Sequence, residues 1–232
     1  MSNEKYVLKN KLKGWFGEKK SAFKLWYSLN NKVYHRYNNL ILPAKNGTTQ
    51  IDHLVISPYG LFIVETKNKK GWIFGSGDQS NWTQVIFQKK YAFQNPLRQT
   101  FRQKKVLIEL LEINESEIFT VVYFNGHCTF KTPMPYNVLN SGLANYIKSF
   151  NEIILSQKEV DRINNLLSQI ISESKLTAKD HIKSLQNRHS SNTVCPNCGS
   201  DLAVRTSKYK HPSEAQFLGC NAFPKCRFTK NL

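Results

Sequence analysis

The sequence predicts an α+β chain, a run of strands bracketed by helices, with a small cysteine-bearing module after it. Three observations carry that prediction. Apolar residues recur at helical spacing on both sides of a central stretch of short extended segments; turn-forming residues separate those segments; and four of the five cysteines crowd into the last forty residues. The first helix is placed near Gly17, where Ala22, Leu25, Trp26 and Leu29 share a face. Glu18 lies four residues before Ala22 on that face, so a carboxylate opens the buried stripe. From about Val33 to Phe87 the pattern shortens to YHRYNNLIL, TTQIDHLVIS, GLFIVETK and WTQVIF, divided by NG, SPYG and GSGDQSN. Asn95 followed by Pro96 announces a second helix, with Leu97, Phe101, Val106, Ile108 and Leu111 turned inward. The β-branched and aromatic run EIFTVVYFNG reads as a buried strand. Two more helices are expected, over residues 142–150 and from Ser156 onward, the latter opened by a capping box of Ser156 and Glu159. After Ile171 the apolar stripe thins. Residues 173–193 read as a partly helical polar linker between a domain of residues 1–172 and a module of residues 194–232.

The chain has 232 residues, and 33 Lys and Arg against 16 Asp and Glu give a net charge of +17, which favours a polyanionic partner. Nucleic acid fits better than a membrane surface, because the basic residues are scattered and do not gather on one amphipathic helix. The N-terminal MSNEKYVLKNKLKG lacks the apolar region of a secretory signal, and no stretch reaches the ~18 apolar residues of a membrane span. The expectation is a soluble cytoplasmic protein, where cysteines serve metal binding more readily than disulfides.

The residues on either side of SPYG carry the most chemistry. If Ser57 pairs with Gly60, opposed residues have numbers that sum to the same value, so Ile56 faces Leu61, Leu54 faces Ile63 and Asp52 faces Glu65. Alternation then puts Asp52, Glu65 and Lys67 on one face, beyond the apolar Leu54, Ile56, Leu61 and Ile63. Two carboxylates roughly 5 Å apart repel unless they share a proton, meet a base or bind a divalent cation. Lys67 supplies a base, and an oxygen-only pair suits Mg²⁺ or Mn²⁺. A hard cation on two carboxylates beside a lysine is what phosphodiester hydrolysis needs, and Glu18 is placed to complete the metal shell or position the lysine. Taken singly, each of these residues reads as a solvated surface charge. Their common face marks a site.

The stretches GEKK, TTQIDHLVISPYGLFIVETKNKKGWIFG and NPLRQ resemble the nuclease-related domain (NERD) family of the PD-(D/E)XK nuclease superfamily, over about Gly14 to Leu111. The resemblance implies a restriction-endonuclease-like core, a mixed sheet flanked by helices. It implies that Asp52 stands at the first acidic position, that Glu65, Thr66 and Lys67 form the E-x-K element, and that Glu18 is the glutamate of the N-terminal helix. Gln99 matches a polar position on the helix after the sheet and is a candidate substrate or metal-water contact. Ile51 stands where the pattern usually carries proline. Trp72 and Trp82 flank the GSGDQSN loop, and core packing is the expected use of both.

Cys195 and Cys198 form a C-x2-C knuckle, and Cys220 and Cys226 follow at C-x5-C spacing after twenty-one residues. Four thiolates suit tetrahedral Zn²⁺, and a module this small folds only with such a staple. Cys128 reads as a buried thiol. Its neighbour His127 points to the opposite face of a strand and so forms no dyad with it. The segment from Cys195 to Lys230 is similar to the C4 zinc finger at the C-termini of type IA DNA topoisomerases, which implies single-stranded DNA binding. The module offers Arg205, Lys208, Lys210, Lys225, Arg227 and Lys230 for phosphates, and Tyr209, Phe217, Phe223 and Phe228 for base stacking, with Phe217 expected in the core and Tyr209 exposed. His211 reads as an exposed loop histidine. Two function classes stand after this reading: a metal-dependent DNA endonuclease or nickase tethered by the finger, and a non-catalytic DNA-binding or adaptor protein that keeps the nuclease fold as a scaffold, associated with a topoisomerase or with repair.

Overall fold

The computed structural model describes residues 28–207 and 216–232, so Glu18, most of the first expected helix, Lys208, Tyr209, Lys210 and His211 lie outside the described residues. The fold is α+β. Its strands are β1 (His35–Ala44), β2 (Gly47–Ser57), β3 (Gly60–Lys67), β4 (Gly71–Phe74), β5 (Asn81–Ile86), β6 (Lys89–Gln94), β7 (Ile118–Phe124), β8 (Cys128–Phe130), β9 (Val138–Leu139), β10 (Leu202–Thr206), β11 (Gln216–Cys220) and β12 (Thr229–Asn231). The helices among the described residues are α1 (Pro96–Leu111), α2 (Leu143–Lys148), α3 (Gln157–Ser174) and α4 (Ala178–Ser190). Among them, no helix is long and apolar enough to cross a membrane.

The main sheet has the order β1-β2-β3-β7-β9. It is mixed: β2 and β3 are antiparallel, whereas β3 with β7 and β7 with β9 are parallel. Parallel neighbours need a long crossover, and here it contains β4, β5, β6 and α1. The β2–β3 ladder runs from Ser57 opposite Gly60 to His53 opposite Val64, the register read from the turn. Gly60 sits at φ +113°, and a Cβ there would lie 2.9 Å from the Glu117 carbonyl oxygen, so only glycine fits the turn.

Alternation gives the sheet two buried faces. Val55, Phe62, Val64, Val121 and Tyr123 pack against Leu29, Tyr34, Leu143 and Ile147 on one side. Val122 and Phe124 join Ile73, Trp82 and Val138 on the other. Leu54, Ile56, Leu61 and Ile63 are fully buried, each worth about 1.5–3 kcal/mol by transfer from water.

Helix α1 begins as expected: the Asn95 side chain accepts from the Leu97 N–H, and Pro96 opens the first turn. Its amide also donates to the carbonyls of Ser76, Gly77 and Gln79, so one fully buried asparagine caps the helix and closes the loop before β5. The buried stripe of α1 differs from the expected one. It runs through Thr100, Gln103, Val106, Leu107 and Leu111, while Leu97, Phe101 and Ile108 are half-buried. The helix lies against β3 and β7, and the polar end of β3 draws polar residues to face it.

The chain divides into two compact units, residues 1–40 with 51–169 and residues 41–50 with 170–232. The stretch read as a polar linker is largely helical. In α4 the Thr177 side chain accepts from the Asp180 N–H while the Asp180 carboxylate accepts from the Thr177 N–H, a closed capping box. Within this second unit the tip of the β1–β2 hairpin bonds to α4, with the Thr48 N–H donating to Ser184 Oγ at 2.9 Å and Thr48 Oγ1 2.9 Å from His181 Nδ1.

Candidate active site and cysteine cluster

Glu65 and Lys67 leave β3 on the same side, as period-two alternation requires, and their side chains meet: Lys67 Nζ donates to Glu65 Oε1 at 2.6 Å. The same ammonium donates to Gln99 Oε1 at 2.5 Å, and Gln103, one helical turn further along α1, donates to Glu65 Oε2 at 2.8 Å. Two glutamines four residues apart thus hold the ends of a strand-borne ion pair. Glu65 is 6 % exposed, and polar groups buried that far are costly without hydrogen-bond partners such as these.

Asp52 lies on β2 at the open end of the ladder, 9 % exposed. Its Oδ2 accepts from both the Thr66 N–H and the Thr66 hydroxyl, each at 2.8 Å. Thr66 stands between Glu65 and Lys67, so Asp52 is tied to the same strand end through the residue that separates them. Each oxygen of Glu65 accepts one of the bonds described and has a second lone pair, whereas Asp52 Oδ2 already accepts two. The donor set is therefore all-oxygen and compatible with Mg²⁺ or Mn²⁺.

Three contributors escaped the sequence reading. Gln103 had a signal in its spacing of four from Gln99. Thr66 had none beyond its place in the ETK run. His53 is 1 % exposed with Nδ1 2.7 Å from Asn38 Oδ1; burial pushes its pKa down to about 4, against the opposing pull of Glu65, so the imidazole is neutral at ordinary pH. Lys69 lies 4.5 Å from the centre of the Phe93 ring, and burial, reinforced by Lys67, lowers its pKa.

In the C-terminal module the four cysteines converge. All four sulfurs lie within 4.8 Å of one another, with Cys195 and Cys226 at 3.7 Å and Cys198 and Cys220 at 3.4 Å. A tetrahedron of Zn–S bonds of about 2.3 Å spaces its sulfurs by about 3.8 Å, and the cluster matches that size. Burial raises the Cys220 thiol to about 12, while hydrogen bonds from Cys195 and Cys226 hold Cys198 far below the ordinary thiol range. One thiolate surrounded by thiols is the most this cluster sustains by itself; Zn²⁺ would let all four ionise. Cys128 stands apart, half-buried, with its thiol pushed up to about 11 by burial.

The remaining module residues divide. Arg205, Lys225 and Arg227 are exposed, and the Arg205 side chain lies across Gly219, where a Cβ would stand 2.6 Å from its Cδ. Lys230 is half-buried, its ammonium bonded to Ser191 O at 3.3 Å and Asn192 Oδ1 at 2.6 Å. Phe223 is exposed, whereas Phe217 and Phe228 are half-buried. Leu218 supplies the buried apolar side chain of β11 that Phe217 was expected to supply.

A family model described as the nuclease-related domain matches residues 13–125, and one described as the topoisomerase DNA-binding C4 zinc finger matches residues 192–232. The chain is similar to an uncharacterized protein of Bacillus anthracis, 32% identical over 190 residues that cover 78% of this chain and 89% of that protein. It is also similar to DNA topoisomerase 1 of Methanothermobacter thermautotrophicus, 54% identical over 35 residues, which are 15% of this chain and 4% of that protein. No solved structure matches the chain.

Proposed function

Because the chain belongs to the nuclease-related domain family, we propose that it hydrolyses phosphodiester bonds in DNA, as a Mg²⁺- or Mn²⁺-dependent endonuclease or nickase held on single-stranded or distorted DNA by its C4 zinc finger. The observation that carries this reading is the ammonium of Lys67, fixed between Glu65 and Gln99 at a strand end where the intervening Thr66 binds Asp52. Asp52 and Glu65 would hold the cation, with Glu18 as a further carboxylate from the N-terminal segment. When bound, such a cation polarises a phosphoryl oxygen and lowers the pKa of water. Among the described residues Lys67 spends two N–H donors, on Glu65 and Gln99, and a third would orient water or offset charge on the phosphate. Gln99 and Gln103 keep the ammonium and carboxylate aimed. In this reading residues 1–172 cut, and residues 194–232 tether through Arg205, Lys208, Tyr209, Lys210, Lys225 and Arg227, with the Lys230 ammonium bonded to Ser191 and Asn192 just before the module.

One observation favours a second reading. Both oxygens of Glu65 already have protein donors, as expected of a non-catalytic scaffold that binds DNA or recruits other factors. The two separate on incubation of purified protein with supercoiled, linear and single-stranded DNA in Mg²⁺, Mn²⁺ or EDTA. Metal-dependent cleavage that vanishes in Glu65→Ala and Lys67→Ala, with DNA binding retained, supports the enzyme. Equal cleavage by wild type and both variants marks a contaminant, and absence of cleavage in every condition supports the scaffold.

A further inference from the structure

The second sheet, β6-β5-β4-β8, turns one face to the core and the other to solvent. Ile73, Trp82 and Gln84 are buried on the inner side. Across the register, Trp72 pairs with Val85 and Thr129, and Val85 with Lys90; Phe74 pairs with Thr83, and Thr83 with Ala92. By alternation these residues share the outer face. Trp72 was expected in the core beside Trp82, yet it is 51 % exposed, and the Lys131 ammonium sits 4.6 Å from its ring centre. At the β5–β6 turn Phe87 is 96 % exposed, in a left-handed conformation at φ 44° that such turns usually give to asparagine or glycine.

The four strands contain no Asp or Glu, and on the outer face Lys90 lies opposite Val85 while Lys131 sits over Trp72; Asp78 is the acidic residue of the connecting loop. An exposed tryptophan capped by an ammonium, among lysines and without carboxylates, has the chemistry of a surface that stacks bases and neutralises phosphates. Duplex bases are stacked on each other, whereas an unpaired base has a free ring face to offer.

We propose that the outer face of β6-β5-β4-β8 is a stacking platform for single-stranded DNA, with Trp72 under a base and Lys90 and Lys131 on the flanking phosphates. Three residues separate Lys67 from β4, so the platform continues the strand that carries the candidate active site. The inference rests on the reading that the chain acts on DNA, and it fails separately from it.

The test uses the full chain without added Mg²⁺, an oligothymidylate carrying 5-iodouracil for photo-crosslinking, and titration of matched single-stranded and duplex oligonucleotides. The expected results are a crosslink at Trp72 or Phe87, a loss of about tenfold in single-strand affinity in Trp72→Ala with duplex affinity unchanged, and most of the affinity kept in Trp72→Phe. Lys131→Gln should flatten the salt dependence by about 0.7 per lost phosphate contact. Crosslinks confined to residues 192–232 with unaltered affinity in Trp72→Ala would overturn the platform, as would equal weakening on single strand and duplex. Cleavage by the wild type, measured in parallel with Mg²⁺, reports on the nuclease reading alone.

Discussion

Glu65 and Cys198 are both buried acids, and their neighbours differ in kind. Glu65 has a cation on one oxygen and an amide donor on the other, so the protein itself supplies the opposite charge. Cys198 has other cysteines around it, each equally in need of a partner. A site closed by complementary side chains holds its shape through packing and hydrogen bonds and can admit a cation reversibly. A site made of like groups depends on the ion for its fold. The chain therefore has one polar centre held by complementary partners and one made of like ligands.

The largest break of this contrast is Cys198→Ser. It should lose the equivalent of zinc and the protection of β10, β11 and β12, because structural zinc contributes about 10–16 kcal/mol in small modules. Metal analysis and hydrogen exchange read both, and protected strands without metal would remove the contrast. Next comes Lys67→Met, which leaves the Glu65 carboxylate with Gln103 and without its cation. It should cost about 3 kcal/mol in urea unfolding, whereas the double variant Glu65→Gln with Lys67→Met should cost less than the sum of the singles. An additive result would show that the pair is not a unit. Asn95→Ala should cost about 2 kcal/mol, since it removes a cap and three buried hydrogen bonds at once. The smallest effect belongs to Thr177→Ala, which opens an exposed capping box: faster exchange in the first turn of α4, with no change in zinc content or cleavage.

Much of this architecture was legible. The SPYG turn gave the β2–β3 register because period-two alternation and a glycine-only corner leave one pairing that buries Leu54, Ile56, Leu61 and Ile63 together. Asn95-Pro96 marked the start of α1, and Ser156 accepts from the Glu159 N–H at the start of α3 as its capping box implied. The strands β4, β8 and β9 are too short, at two to four residues, for their periodicity to separate from loops, and β6 (KKYAFQ) lacks the alternating apolar residues that mark β5. The rotation of α1 was also hidden. Apolar counting favours Leu97, Phe101 and Ile108 as the inner stripe, but the charge at the end of β3 makes Gln103 the better neighbour. Asp52 is read from the turn as opposite Glu65, and its Oδ2 also accepts from Thr66, a local bond that no spacing rule reveals.

Strand β2 contributes residues to both compact units: Thr48 bonds to α4, and Asp52 belongs to the candidate site four residues later. During translation the hairpin tip emerges well before α4, so Thr48 must wait for the C-terminal third to be synthesised before it meets Ser184 and His181. A cut near residue 172, where composition changes, would part the tip of β2 from the rest of its compact unit, on the strand that bears Asp52 of the candidate site. Dissecting the nuclease-related domain from the finger therefore calls for point substitutions in place of scissors.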